Sequence, residues 1–203
     1  MLKADSLHFS YAGHGVFNDF SACVAPGVTL VTGGSGRGKS TLLRLLAGKL
    51  ASAAGQLRIH GIRLQDDPEA YQRQVLWTEP YTDAFDPLTV LDYFELQRQT
   101  HGGLTQTRVA FIVAGLGLEP HLHKPLYMLS TGTKRKVWLT AAFASMAAVT
   151  LLDEPFAALD TTSIQFVLSL LEEAAAQPSR AWVLAHHEAP DNVPLAGTID
   201  LGE

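Results

Sequence analysis

The run Gly33-Gly34-Ser35-Gly36-Arg37-Gly38-Lys39-Ser40-Thr41 constrains this chain more than any other feature, because it fits glycine, four residues, glycine, lysine, then serine or threonine. Each position has a physical task. The glycines let successive backbone N–H groups converge on phosphate oxygens, and the helix that follows adds the favourable end of its dipole. Lys39 supplies charge opposite β- and γ-phosphates, Ser40 offers a hydroxyl ligand to Mg²⁺, and Thr41 extends the helix start. Average residue frequencies put a chance match at roughly once in a hundred chains of this length. The flanks reduce that further. Val28–Thr32 is an apolar run suited to a buried strand, and Lys39–Leu50 carries Leu42, Leu43, Leu45 and Leu46 on one helical face. The competing reading is a glycine-rich turn.

A second signal is Val149-Thr150-Leu151-Leu152-Asp153-Glu154, an apolar strand delivering two adjacent acids at its carboxyl end. Alone, such a pair reads as a solvated strand end. With a phosphate loop in the same chain, Asp153 suits the Mg²⁺ shell and Glu154 suits a general base that polarises the attacking water. Between the two signals lies Leu129-Ser130-Thr131-Gly132-Thr133-Lys134-Arg135-Lys136, placed before a helix, with Ser130 standing 23 positions ahead of Asp153. Ser130 is a good helix cap in any protein. As part of a phosphate site it becomes a hydroxyl donor at a helix amino terminus, beside a Gly132 that permits close backbone approach.

Order and spacing then bring a family into view. Leu129–Lys136 resembles the LSGGQ signature of ATP-binding cassette proteins, and Asp153-Glu154-Pro155 followed by Ala158-Leu159-Asp160 resembles their Walker B and D-loop segments. The likeness covers nearly the whole chain. Tyr11, 22 residues before Gly33, resembles the aromatic residue that stacks on adenine, and Leu88-Thr89-Val90 resembles the entry to the family's helical subdomain. Short length and layout are similar to ATPase subunits of exporters. The resemblance implies a MgATP-binding ATPase that pairs head to tail with a second copy, so that Ser130, Thr131, Gly132 and Asp160 complete the neighbour's nucleotide site. It also implies separate transmembrane permease subunits and a peripheral place on the cytoplasmic face of the membrane.

Three segments depart from the family pattern. Trp182–Glu188 resembles the switch strand, with His187 aligned to the γ-phosphate-sensing histidine; a one-residue shift exchanges the roles of His186 and His187. Where the family places a glutamine entering the helical subdomain, Val75-Leu76-Trp77-Thr78-Glu79-Pro80 offers Glu79. A carboxylate there is a stronger Mg²⁺ ligand than an amide, and also adds negative charge near the γ-phosphate. The competing reading is a surface glutamate. Thr131 and Thr133 stand where the signature has its first glycine and its glutamine, which places an extra Cβ at Thr131.

Composition narrows the rest. At 203 residues the chain is about one large domain, expected as a single nucleotide-binding domain over 1–203 with a helical subdomain at about 82–147. Strands alternating with helices indicate an α/β fold: a P-loop NTPase core with an antiparallel β portion and that helical insertion. The net charge of −5 argues against nucleic acid as the main partner. Only 17% of residues are charged, which leaves surface for a partner to cover. The single cysteine, Cys23, excludes an internal disulfide, and the most apolar stretch, Val137–Leu152, is interrupted and too short to span a membrane. The chain reads as intracellular. Rival readings are a soluble cassette ATPase without a transport role, a P-loop kinase, and a degenerate nucleotide-binding scaffold.

Overall fold

Two sheets divide the chain. In the computed structural model, which describes residues 1–79, 82–101 and 103–202, β1 (Leu2–Tyr11), β2 (His14–Val24), β4 (Ala54–Ile59) and β5 (Ile62–Arg63) form an antiparallel sheet in the order β2-β1-β4-β5. The second sheet is parallel throughout. It takes β3 (Gly27–Thr32), β6 (Val75–Thr78), β7 (Val149–Asp153), β8 (Ala181–Ala185) and β9 (Leu195–Asp200) in the order β6-β7-β8-β3-β9.

Helices cover both faces of the parallel sheet, and the alternation of its strands records it. Val28, Leu30, Leu152, Trp182 and Leu184 pack to one side, where α5 (Thr131–Ala144) and α6 (Thr161–Ala175) lie. Val31, Leu151, Val183 and Ala185 pack to the other, against α1 (Lys39–Leu46) and the antiparallel sheet's inner face. A parallel sheet buried on both sides needs near-continuous apolar strands, which is what β7 and β8 supply. The short α2 (Pro68–Arg73) is capped by Asp67, whose carboxylate accepts from Ala70 N at 2.9 Å.

Between β6 and β7 the chain is mainly helical. It runs through α3 (Val90–His101), α4 (Gln106–Gly115), two 3₁₀ turns and α5. Tyr93 meets Trp138 edge-on at 4.5 Å, tying α3 to α5, while Phe143 of α5 stacks on Trp182 of β8 at 4.8 Å. α5 therefore belongs to both the helical layer and the sheet. Among the described residues no helix is long and apolar enough to cross a membrane.

Candidate functional site

Three neighbouring strands, β7, β8 and β3, end at one edge of the parallel sheet, and each hands its candidate residues to that edge. β3 runs into the phosphate loop, which turns into α1 at Gly38. Only glycine suits that corner: its φ is +94°, and a Cβ would stand 2.7 Å from Val16 Cγ1. Lys39 folds back over the loop, donating from Nζ to Gly33 O at 2.6 Å and Gly34 O at 3.1 Å. Gly34 N in turn donates to Gly202 O at 2.9 Å, so the loop is anchored from both sides. Tyr11, at the end of β1, stands 43% exposed beside α1, its Oη accepting from Thr41 Oγ1 at 3.5 Å.

Ser40 and Asp153 meet across the loop. Asp153, only 4% exposed, has its carboxyl pushed up mainly by burial, against which the hydrogen bond from Ser40 pulls it down. A buried carboxylate with a hydroxyl beside it is a hard oxygen pair, and a divalent cation relieves the cost of burying the charge. This donor set fits Mg²⁺. Glu79 is tied to Arg44, one of the charges that act on Asp153: its Oε1 faces Arg44 Nη2 at 3.4 Å, both side chains being about two-fifths exposed, and Arg44 lies over the Trp77 ring at 5.9 Å.

Glu154 is held in an uncommon conformation, φ +45°, where non-glycine residues pay about 1–2 kcal/mol. Its peptide is pinned at both ends. Its N donates to Ala185 O at 3.0 Å, and its carbonyl accepts from Arg135 Nη1, which also reaches Asp153 O at 3.2 Å. The turn aims the Glu154 side chain at His186, whose Nδ1 lies 2.7 Å from Oε2. Here the geometry departs from the sequence alignment. His186 N still follows β3, donating to Val31 O at 3.1 Å, so its ring stays inward with a 10% exposed side chain. His187 comes after the chain has bent away; its ring is 66% exposed and faces Glu188 at 3.4 Å. The register that exchanges the two histidines is the one these contacts favour.

The signature segment forms the start of α5. Ser130 is its cap, accepting from Thr133 N at 3.2 Å, with Thr133 Oγ1 at 2.9 Å from its hydroxyl. Thr131 opens the helix, and Gly132 lies so close to the segment after Glu154 that a Cβ would be 2.4 Å from Ala158 O. Asp160 caps α6 through Ser163 N at 2.9 Å and pairs with Lys136 Nζ at 2.7 Å; these contacts hold its carboxyl well below the usual range. Within one chain, Asp160 thus serves the start of α6 and its tie to α5.

Sequence reasoning missed Arg135 and Arg44. Arg135 had a readable signal: it shares a helical face with Trp138, Leu139 and Ala142, all buried, and is itself only 4% exposed. A cation at a core position of a helix demands acceptors. Arg44 had none, because its partner Glu79 comes from 35 residues away.

Known proteins share this fold and much of this sequence. Residues 17–157 match the ABC transporter family. The chain is 33% identical over 94% of its length to a cytochrome c biogenesis ATP-binding export protein, CcmA, of Cupriavidus pinatubonensis, covering 85% of that protein. It is 32% identical over 92% of its length to a nickel import ATP-binding protein, NikO, of Rhodobacter capsulatus, covering 79% of it. Among solved structures, the ATP-binding subunit of an ABC transporter superposes with a TM-score of 0.82 at 26% identity, over 92% of this chain and 79% of that one. The fold recurs, at 21% identity and a TM-score of 0.75, in 34% of the chain of an Atm1-family ABC exporter with ATP bound, covering 91% of this chain. These relatives are transporter subunits, which disfavours the soluble cassette, kinase and scaffold readings. With its phosphate loop, acid pair and signature helix gathered on one P-loop α/β fold, the chain belongs to the ABC transporter family as an ATP-hydrolysing subunit.

Proposed function

We propose that this chain hydrolyses MgATP as one half of a head-to-tail pair of cassettes, on the cytoplasmic face of a membrane, and that it drives export through separate transmembrane subunits. The observation that carries the reading is the contact between Glu154 and His186 at the sheet edge where the phosphate loop also ends. Bound Mg²⁺ would neutralise β/γ charge, and Ser40 and Asp153 are the residues that would hold it. Lys39 faces the same phosphates, and Tyr11 offers its ring to adenine. Glu154 takes a proton from the attacking water, and His186 orients that carboxylate. The exposed Ser130 end of α5 is then the part a second copy meets, making residues 1–203 one nucleotide-binding domain whose helical part, about 82–147, brings the signature.

Export is the favoured direction because the first relatives, named for cytochrome c biogenesis export, are spanned over 85% and 92% of their lengths. A molybdenum import relative is spanned over 50% and the nickel import relative over 79%. We assign coupling to the membrane subunits to the cleft of about 720 Å³ between α1 and α3, a reading supported by Glu79 and Trp77 among its lining residues.

Glu154→Gln tests catalysis and pairing together. It keeps size and hydrogen bonding but removes the base, so phosphate release should fall by about 10²–10⁴ while MgATP persists and holds two chains together. Light scattering should then report a dimer with MgATP and a monomer with MgADP, and adding Ser130→Arg should abolish the dimer. Undiminished phosphate release in Glu154→Gln refutes the base; a stalled enzyme that stays monomeric refutes self-sufficient pairing.

A further inference from the structure

Glu154, His186 and His187 bring one carboxylate oxygen and two ring nitrogens within 4.8 Å of one another, on a pocket of about 420 Å³ also lined by Glu188 and Asp191. We infer that these three side chains form a binding site for a borderline divalent metal, of the Zn²⁺, Co²⁺ or Ni²⁺ class, which captures Glu154 in the nucleotide-free chain. The binding needs nothing from the ATPase reading. Its consequence, inhibition of hydrolysis by sequestering the base, rests on that reading.

Backbone geometry already brings the two rings together. Adjacent residues on a strand point to opposite faces, but the bend after β8 sets the His186 and His187 rings 4.1 Å apart. Both are anchored to β3: His186 N donates to Val31 O, and His187 O accepts from Thr32 Oγ1 at 3.3 Å. Phe156 meets the His186 ring edge-on at 5.2 Å and fixes its plane. Zinc bound at about 2.0–2.1 Å in a tetrahedron sets neighbouring ligand atoms about 3.3 Å apart. The Glu154–His186 pair at 2.7 Å must open by about 0.6 Å, and no pair, all lying within 4.8 Å, need close by more than about 1.5 Å. The exposed tips of His187 and Glu154 can supply that movement, with His186 as the fixed ligand. Glu188 Oε1, 3.4 Å from His187 Nε2, lies at the rim of the cluster, and water would complete the coordination.

Donor chemistry sets the selectivity. Two imidazoles and a carboxylate suit zinc, cobalt and nickel, whereas Mg²⁺ prefers an all-oxygen octahedron and is matched instead by Ser40 and Asp153. The two cation sites thus differ in ligand class while sharing the end of β7.

The test uses Co²⁺ added to the full chain after chelator treatment, without nucleotide, read by the visible ligand-field absorption of a low-symmetry nitrogen–oxygen site. One Co²⁺ per chain should bind, Zn²⁺ should displace it and excess Mg²⁺ should not. His187→Ala, at an exposed position, and Glu154→Gln should each weaken binding by at least about tenfold. His121→Ala/His123→Ala, removing the other closely spaced histidines, should leave it unchanged. Absence of the absorption, parental affinity in both site variants, or loss of binding in the His121/His123 variant overturns the site. Zn²⁺ should also suppress MgATP hydrolysis, and chelator should restore it. Binding at this site without suppression upholds the metal site and overturns Glu154 as the base, so the two readings fail separately.

Discussion

Replacing Arg135 with methionine should cost this protein both stability and turnover, because one guanidinium ties α5 to the two carbonyls at the end of β7. Methionine keeps the length of the side chain, so packing changes little and the lost hydrogen bonds dominate. Bonds from a charged donor are each worth about 1.5–3 kcal/mol, and the carbonyls of Asp153 and Glu154 lose that donor. Against this, the variant no longer buries a charge, which returns part of the loss. A net destabilisation of about 2–4 kcal/mol follows, or roughly 5–15 °C in Tm for a domain of this size. Turnover should fall by at least about tenfold, since Glu154 holds φ +45° only while its peptide is pinned, and displacement by an ångström is enough to misplace a catalytic carboxylate. Urea unfolding of the nucleotide-free chain measures the first effect and phosphate release at saturating MgATP the second. Arg135→Lys, which reaches with one donor group, should fall between. A methionine variant that unfolds at the parental urea concentration and releases phosphate at the parental rate refutes the bracing role.

Two further substitutions separate the roles of the acids. Asp153→Asn should raise the nucleotide-free Tm at neutral pH: the folded pKa is raised by burial, so the ionised form is penalised above it and the penalty vanishes below the unfolded value of about 3.8. The gain should therefore shrink as pH falls toward 4, while Mg²⁺-dependent hydrolysis is lost at all pH values; a Tm gain that does not depend on pH refutes the charge argument. Glu79→Gln should shift Tm by no more than about 2 °C, since it breaks only a half-exposed ion pair with Arg44 worth under about 1 kcal/mol. Its Mg²⁺ requirement for hydrolysis should change, and an unmoved requirement confines Glu79 to its pairing with Arg44.

Legibility in the sequence followed burial. The apolar strand that the sequence marks ahead of Asp153 and Glu154 is β7, Val149–Asp153, and it is legible because strands buried on both faces are continuous apolar runs. Ala54–Ile59 escaped notice: Ala-Gly-Gln-Leu-Arg-Ile buries only Leu57 and Ile59 and draws its order from pairing with β1. β9, an edge strand with alternate residues exposed, was missed for the same reason. The helix after the phosphate loop stops at Leu46 instead of Leu50, since Gly48 turns the chain with φ +67°. In the site, the glycine loop and acid pair were legible as local patterns. Which histidine meets Glu154 was not, because spacing cannot tell at which residue a strand ceases to follow its neighbour; the bond from His186 N to Val31 O decides it.

That same edge explains why α5 matters beyond its cap. Ser130 and Arg135 are five residues apart, about 7.5 Å along a helix axis. The first faces outward at the helix start, and the second grips the carbonyl of Glu154. Gly132, between them, packs under Ala158 O, and Lys136 holds Asp160, so the helix touches the chain at Glu154 and again four and six residues beyond it. A rigid helical turn cannot move at Ser130 without moving at Arg135. On the proposed reading, engagement of Ser130 by a neighbouring nucleotide is therefore felt at the Glu154 peptide of its own chain, and Arg135→Met should uncouple the two: the variant would still pair around MgATP while hydrolysing it slowly. Pairing lost together with hydrolysis in that variant would place Arg135 in the folding of the signature end and not in the link between the two sites.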